Sequence, residues 1–306
     1  MEKIEAGQFL DFVKLFPIRR NKKQKQKIQE NLIHYYNAFN IKPTEYVESL
    51  GLRKVRHFLF GDLEKAELIV ACGYDTAERL ILGTGDYWPL DENRNRSKNF
   101  VNITLQVVIS LVMAVGGVFL IRYALTLKTI MKIVNIVCAV LIFYLANFFA
   151  QGLTNRATFS KSCSLFMNLE IIKHYNSKKV CYLYLDYGSY TKVGINFLKS
   201  EQFKGKKIVY LDFFGDGDTL LIGHDDKGIK VGKYIEENYD GDVYRTKLEG
   251  VNRFNELENI TILANTSIAK DKTYVVKNVK TDDDLVVDEN VMQRSFDALI
   301  KLCKGV

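Results

Sequence analysis

Two stretches of the chain stand apart by their hydrophobic pattern. From Phe100 to Ile121 there are 22 residues without a charge, and from Ile133 to Asn155 another 23. Roughly 20 apolar residues at a 1.5 Å rise cross the hydrocarbon of a bilayer. Each run is therefore long enough to span, and the pattern predicts a transmembrane helical hairpin over 99–152. The competing reading is a pair of buried core helices, since Asn102, Thr104, Gln106, Asn135 and Asn147 interrupt the apolar character. Against it, Arg122, Lys128 and Lys132 gather around the connection with no acid nearby, where they could sit at lipid headgroups. Ser110 and Ala114, then Ala146 and Ala150, recur at a spacing that would let two helices approach closely.

The remaining pattern is α/β. Helical spacing predicts helices over 4–16 and 24–39, the second with Ile28, Leu32, Ile33, Tyr36 and Phe39 on one face. Between them Arg19 to Lys27 is a basic link, read as a solvated surface. Val55–Phe60 and Glu67–Cys72 read as adjacent strands about a turn at Gly61-Asp62. Helices are predicted at 160–175, 192–199 and 288–303. Val180–Asp186 and Lys207–Phe213 are near-continuous apolar runs, the signature of strands covered on both faces. Tyr274–Asn278 is a further strand. Alternating strands and helices predict a mostly parallel central sheet with helices on both faces.

Charge narrows the function classes. Of the net +7, residues 1–100 contribute +3, residues 101–150 another +3 and residues 151–306 only +1. The excess is diffuse in the water-soluble parts, so no nucleic-acid partner is expected. With 26% charged residues the chain is no polytopic transporter. The N-terminus has no cleavable apolar core, and the five cysteines, Cys72, Cys138, Cys163, Cys181 and Cys303, have no paired metal spacing. Free thiols in a reducing compartment are expected. Five flanking cations (Arg94, Arg96, Lys98, Arg156, Lys161) against three at the turn favour a two-pass cell-membrane protein with the globular part and both termini cytoplasmic.

Several segments resemble, in order, the motifs of the di-zinc aminopeptidase and glutaminyl cyclase superfamily. Residues 67–76, ELIVACGYDT, resemble its strand ending in a zinc histidine and an orienting aspartate. Residues 152–169, GLTNRATFSKSCSLFMNL, are similar to its Gly-x-Asn-Asp-Asn-Ala-Ser-Gly turn and following helix. Residues 180–198, VCYLYLDYGSYTKVGINFL, resemble the strand of its Glu-Glu pair, with Gly194 as the downstream glycine. Residues 207–215, KIVYLDFFG, resemble its Asn-x-Asp-Met-x-Gly strand. Residues 279–299, VKTDDDLVVDENVMQRSFDAL, resemble its closing His-Thr-x-x-Asp segment and last helix. The resemblance implies a zinc exopeptidase-like α/β domain in two parts, 1–98 and 153–306, interrupted by the hairpin.

It also implies that the metal site is degenerate. A catalytic di-zinc site uses imidazole and carboxylate ligands with a free Glu as general base. Here Gly73 stands at the first histidine, with only the orienting Asp75 kept. Asn155 replaces the bridging aspartate, Gly188 and Ser189 the Glu-Glu pair, and Lys280 the final histidine. Asp212 alone matches a ligand. No catalytic residue, no metal and no cofactor is expected. One alternative is a single metal held by Asp212, Asp75 and a displaced Asp186. Gly215-Asp216-Gly217-Asp218 and Asp282-Asp283-Asp284 lack the spacing of a calcium loop and read as a turn and a loop.

The expectation is a membrane-anchored, metal-free pseudo-peptidase that binds a peptide, or serves as a subunit of a membrane complex such as a peptide exporter. The alternatives are an active metallo-aminopeptidase with atypical ligands, and a transport or immunity component in which the hairpin carries the function.

Overall fold

The computed structural model describes residues 5–51, 53–150, 152–153, 158–188, 192–251 and 253–306. In chain order the elements are α1 (Ala6–Leu15), α2 (Lys22–Asn37), β1 (Pro43–Leu50), β2 (Arg53–Phe60), β3 (Leu68–Gly73), α3 (Glu92–Ala124), α4 (Thr129–Ala150), α5 (Phe159–His174), β4 (Val180–Leu185), α6 (Lys192–Phe197), β5 (Lys207–Leu211), β6 (Thr219–His224), α7 (Ile229–Asn238), β7 (Asp242–Lys247), β8 (Ile260–Ile268), β9 (Tyr274–Val275) and α8 (Glu289–Lys304). They form two units, one of residues 1–77, 85–92 and 155–306, the other of 78–84 and 93–154.

The first unit is built on one sheet of order β1-β2-β4-β3-β5-β8-β6-β7, with β9 pairing β8. Alternate residues of its central strands face opposite ways, as the pleat requires. Leu68, Val70 and Cys72, with Tyr182, Tyr184, Val209 and Leu211, pack under α1, α2, α5, α7 and α8. Ile69, Ala71, Leu183, Leu185, Ile208 and Tyr210 pack under α6 and the segments around Phe203 and Phe254. Helices thus cover both faces, and α5 is buried along nearly its whole length.

The sheet is mixed, which corrects the expectation of a mostly parallel one. β4, β3, β5 and β8 form a parallel block. The β1–β2 hairpin joins β4 antiparallel on one side, and β6 joins β8 antiparallel on the other, with β7 parallel to β6. β2 and β3 are not neighbours either, because β4 lies between them. The pattern concealed these additions for physical reasons. β1 is half or fully exposed, with no apolar face to read. β8 buries Thr261, Asn265 and Thr266, tolerated because Thr261 donates to Gly228 O (3.2 Å), Asn265 to Ser295 Oγ (3.3 Å) and Thr266 to Thr219 O (3.2 Å).

In the second unit, α3 and α4 are long and apolar enough to cross a membrane, with mean hydropathy 2.3 in the most apolar window of each. Only 17% and 11% of those windows is buried. The α3–α4 contact is close at Gly117, where a Cβ would stand 3.0 Å from the Phe143 ring. Ala146 is buried and Ala150 exposed. Two polar side chains within the helices bond to their own backbone, Ser110 to Gln106 O (2.7 Å) and Asn135 to Met131 O (2.9 Å). Asn102 Oδ1 accepts from Ile81 N (2.8 Å) and Lys98 donates to Thr84 O (3.2 Å), tying 78–84 to α3.

Candidate functional site

β3, β4 and β5 run parallel, with Gly73 opposite Leu185 and Cys72 opposite Leu211, so their carboxyl ends open side by side. That end is where open α/β sheets place ligands. The segments leaving it carry Asp75, Asp186 with Gly188, and Asp212, which brings these sequence-predicted positions together at one edge of the sheet.

Asp212 has no exposure, and two cations meet it. Arg253 Nη1 lies 3.3 Å from Oδ2 and Lys161 Nζ lies 3.8 Å from Oδ1. Lys161 donates to the Asp212 carbonyl at 2.9 Å, as does the Ser164 hydroxyl. Tyr87 donates to Asp212 Oδ2 at 2.9 Å and itself accepts from Arg253. The Arg253 guanidinium also donates to Gly188 O (2.5 Å) and Tyr210 Oη (3.3 Å), and Tyr210 donates to the same carbonyl at 2.7 Å. Burial pulls the Lys161 ammonium below its ordinary range, with Asp212 acting against it. Burial opposes the Arg253 charge as well, but Tyr87, Asp212 and Tyr210 outweigh it and raise the guanidinium.

Backbone fills the neighbouring positions. A Cβ on Gly188 would stand 2.9 Å from Gly73 Cα, and one on Gly194 would stand 2.5 Å from Asp186 O and 2.8 Å from Gly188 N. All three distances are below any ordinary contact, so these chain segments meet without side chains between them. Asp75 accepts from Gly188 N at 3.0 Å, which pins the turn.

Asp186 belongs to a separate cluster. Its carboxylate is 2.5 Å from Lys25 of α2, both groups buried, and accepts from Tyr187 N at 2.9 Å. Lys25 lies 3.7 Å from the centre of the Tyr187 ring. Asp186 N donates to His57 Nδ1 at 3.2 Å, which leaves Nε2 as the protonated nitrogen of a neutral ring stacked on Phe197. Burial, then Lys25, lower His57 to about 4, and burial raises Asp186 against the pull of Lys25.

Lys280 is buried, its backbone donating to Gly85 O at 3.1 Å, and the adjacent Val279 packs with Tyr87 and Phe213 beside Asp212. Asn155 and Ser189 lie outside the described residues. Asp284, read only as part of a loop, caps α5 from a distance. Its backbone and carboxylate accept from Phe159 N (3.1 Å), Ser160 N (3.0 Å) and Ser160 Oγ (2.9 Å). Burial raises it to about 7. Arg19 and Lys25 correct the reading of 19–27 as a solvated link. Arg19 is fully buried and donates to Tyr74 O, Phe16 O and Ser162 Oγ.

These residues do not fit a zinc pair. Among the described residues no three His, Cys, Asp or Glu side chains are grouped to hold a metal. Asp212, which the resemblance matches to a ligand position, faces two cations, and Asp186, the candidate displaced ligand, faces a third. Sequence reasoning missed Lys161, Arg253, Tyr87 and Lys25. A signal existed for Lys161 alone, as a single charge in the otherwise uncharged run Ala157–Leu169. Its burial removes it from the cations flanking the apolar runs, leaving Arg94, Arg96, Lys98 and Arg156 against the three at the turn.

No protein-family model and no curated protein matches the chain. Its fold matches solved structures. Porphyromonas gingivalis glutaminyl cyclase aligns over 100% of this chain and 99% of its own, with TM-score 0.61 and 11% identity. Legionella pneumophila LapA aminopeptidase aligns over 97% of this chain and 69% of its own, with TM-score 0.52 and 10% identity. Fimbriiglobus ruber glutaminyl cyclase aligns over 99% and 97%, with TM-score 0.50 and 10% identity.

Proposed function

From its zinc exopeptidase-like fold, we propose that this chain is a membrane-anchored, non-catalytic relative of the peptidases and cyclases that share it. Its α/β unit serves as an interaction module for a partner subunit of a membrane complex. The observation that carries the non-catalytic reading is the pair of cations on Asp212. A metal pair needs anionic and imidazole donors converging on one space. Here that space holds an ammonium, a guanidinium and the backbone of Gly73 and Gly188. Because Asp212, Lys161 and Arg253 are all buried, a partner peptide would not enter at the former metal position; the contact is assigned to the outer surface of the unit.

The anchoring is supported by exposure. Leu111, Val112, Phe119, Ile130 and Tyr144 are each more than half exposed along two helices whose apolar lengths match a bilayer. An apolar surface of that extent is a liability in water and an asset in lipid. The proposed topology is two-pass, with the α/β unit and both termini cytoplasmic.

The test is elemental analysis and activity of the full chain purified in detergent. Expected are no stoichiometric zinc, no release of N-terminal residues from aminoacyl substrates, and no cyclisation of N-terminal glutamine. One zinc per chain together with either activity, both lost in Asp212→Ala, would overturn the reading.

A further inference from the structure

We propose that Lys161 and Arg253 do structurally what a bound metal pair would do, supplying the positive charge that ties the strand-end segments to Asp212. The α/β unit would then be organised by an internal ion cluster. This rests on the metal-free reading above, and the two can fail separately.

The placement of Lys161 is the first argument. It lies in the first turn of α5, where the helix dipole disfavours a cation, and it is 1% exposed. A buried ammonium there is costly unless paired. The pairing comes from Asp212, through its carbonyl and its carboxylate, with the Phe213 ring centre 4.9 Å away. Asp212 is likewise fully buried, and burying a carboxylate is costly unless cations are paired with it.

The reach of Arg253 is the second. One guanidinium contacts Tyr87 from the segment before α3, Gly188 after β4, Tyr210 on β5 and Asp212 after β5. Apart from Tyr210, these groups lie outside the named strands and helices; Tyr87 is held by a two-bond bridge to Val276 and Asp212 by one bond to Leu263, and the guanidinium is what links these segments to one another and to Gly188. Gathering strand-end segments around one charge centre is how metal binding couples to folding. In this chain the centre is made of side chains, so it needs no external ion.

Both cations share one carboxylate among the described ion pairs, which makes their effects interdependent. Asp212→Asn leaves two buried cations facing a neutral amide. Its midpoint of thermal unfolding should fall by about 10 °C, the scale of a broken buried ion pair in a unit of this size. Adding Lys161→Met should restore at least half of that loss, because it removes one uncompensated charge and leaves the Arg253 contacts in place.

The experiment is thermal unfolding of the full-length protein in detergent micelles for the parent, D212N, K161M and K161M/D212N, with and without excess zinc chloride. Recovery in the double variant and no effect of zinc on the parent support the proposal. Losses that simply add, or a zinc-dependent rise in the parent that D212N abolishes, overturn it. If D212N yields no folded protein, a folded double variant supports the proposal and an unfolded one overturns it. Zinc stabilisation that persists in D212N would defeat the metal-free reading through a site elsewhere, with the coupling judged separately.

Discussion

The backbone of Gly188 presses on that of Gly73, so that a Cβ at position 188 would stand 2.9 Å from Gly73 Cα. These two positions answer, by resemblance, to a carboxylate and an imidazole of a metal site. In this chain they are the points where the turns after β4 and β3 close on each other. The contact packs the two turns together, and several expectations derive from it and from the charges around it.

Gly188→Ala should destabilise the protein by about 1–3 kcal/mol, the usual cost of overpacking a filled interior. Gly7→Ala is the matched control, since nothing lies within 4 Å of a Cβ there and the position is in α1. It should be neutral or stabilising by up to about 1 kcal/mol. Chemical denaturation of both variants checks the contrast. Equal effects at the two sites would show that the Gly73–Gly188 contact is looser than described.

Asp284 and His57 should give stability opposite slopes with pH. Asp284 is raised to about 7 in the folded protein, first by burial and then against the pull of its Ser160 hydrogen bonds, with Asp216 adding to the rise and Arg19 opposing it. The native state therefore holds this proton more tightly, and the contribution, complete below about pH 4, is lost as pH rises through about 7. His57 is lowered to about 4, so its contribution is present above its unfolded value near 6.5 and lost as pH falls through about 4. Denaturation midpoints from pH 4 to 8 should show Asp284→Asn removing a decline and His57→Gln removing a rise. Parallel curves for parent and both variants would refute the assignment.

The hairpin should be removable. Replacing 93–154, the larger part of the second unit, by a Gly/Ser linker should leave a protein that is soluble without detergent and unfolds in one transition. Closing a flexible loop of that kind costs little more than closing a short one. Aggregation at every linker length tried, judged by size-exclusion chromatography, would argue that α3 and α4 are needed for the α/β unit to fold.

Topology follows from the two-span reading. Thr126 is exposed in the connection between α3 and α4, whereas Cys303 is fully buried and useless as a reporter. In a background with all five cysteines changed to serine, Thr126→Cys should react with an impermeant maleimide in intact cells. Lys304→Cys, exposed near the end of α8, should react only after permeabilisation. The reverse pattern would invert the protein, and equal labelling of both in intact cells would exclude a hairpin that returns the chain to one side.

The sequence by itself determined the elements that a local pattern encodes. The uncharged run at 100–121 lies within α3, and the run that starts at Ile133 lies within α4 as far as Ala150, because length and hydropathy need no partner to be read. The runs at Val180–Asp186 and Lys207–Phe213 become strands Val180–Leu185 and Lys207–Leu211 covered on both faces, and the helices at 160–175 and 288–303 shift by a single residue. The order of motifs pointed to the fold, whereas the reading of Gly73, Gly188 and Lys280 as lost ligand positions rests on the resemblance alone. Tertiary structure alone decided which charges are buried and with whom. Lys161 looks like any flanking lysine, Lys25 like one of a solvated run, and Arg253 like part of a polar loop. Each is 41 or more positions from the aspartate it meets. A charge has no periodicity of its own, and only the convergence of the parallel strand ends brings these cations to Asp212 and Asp186. The mixed sheet was decided the same way, since β1 and β8 are held by neighbours across the sheet and by buried polar partners that no stretch of sequence displays.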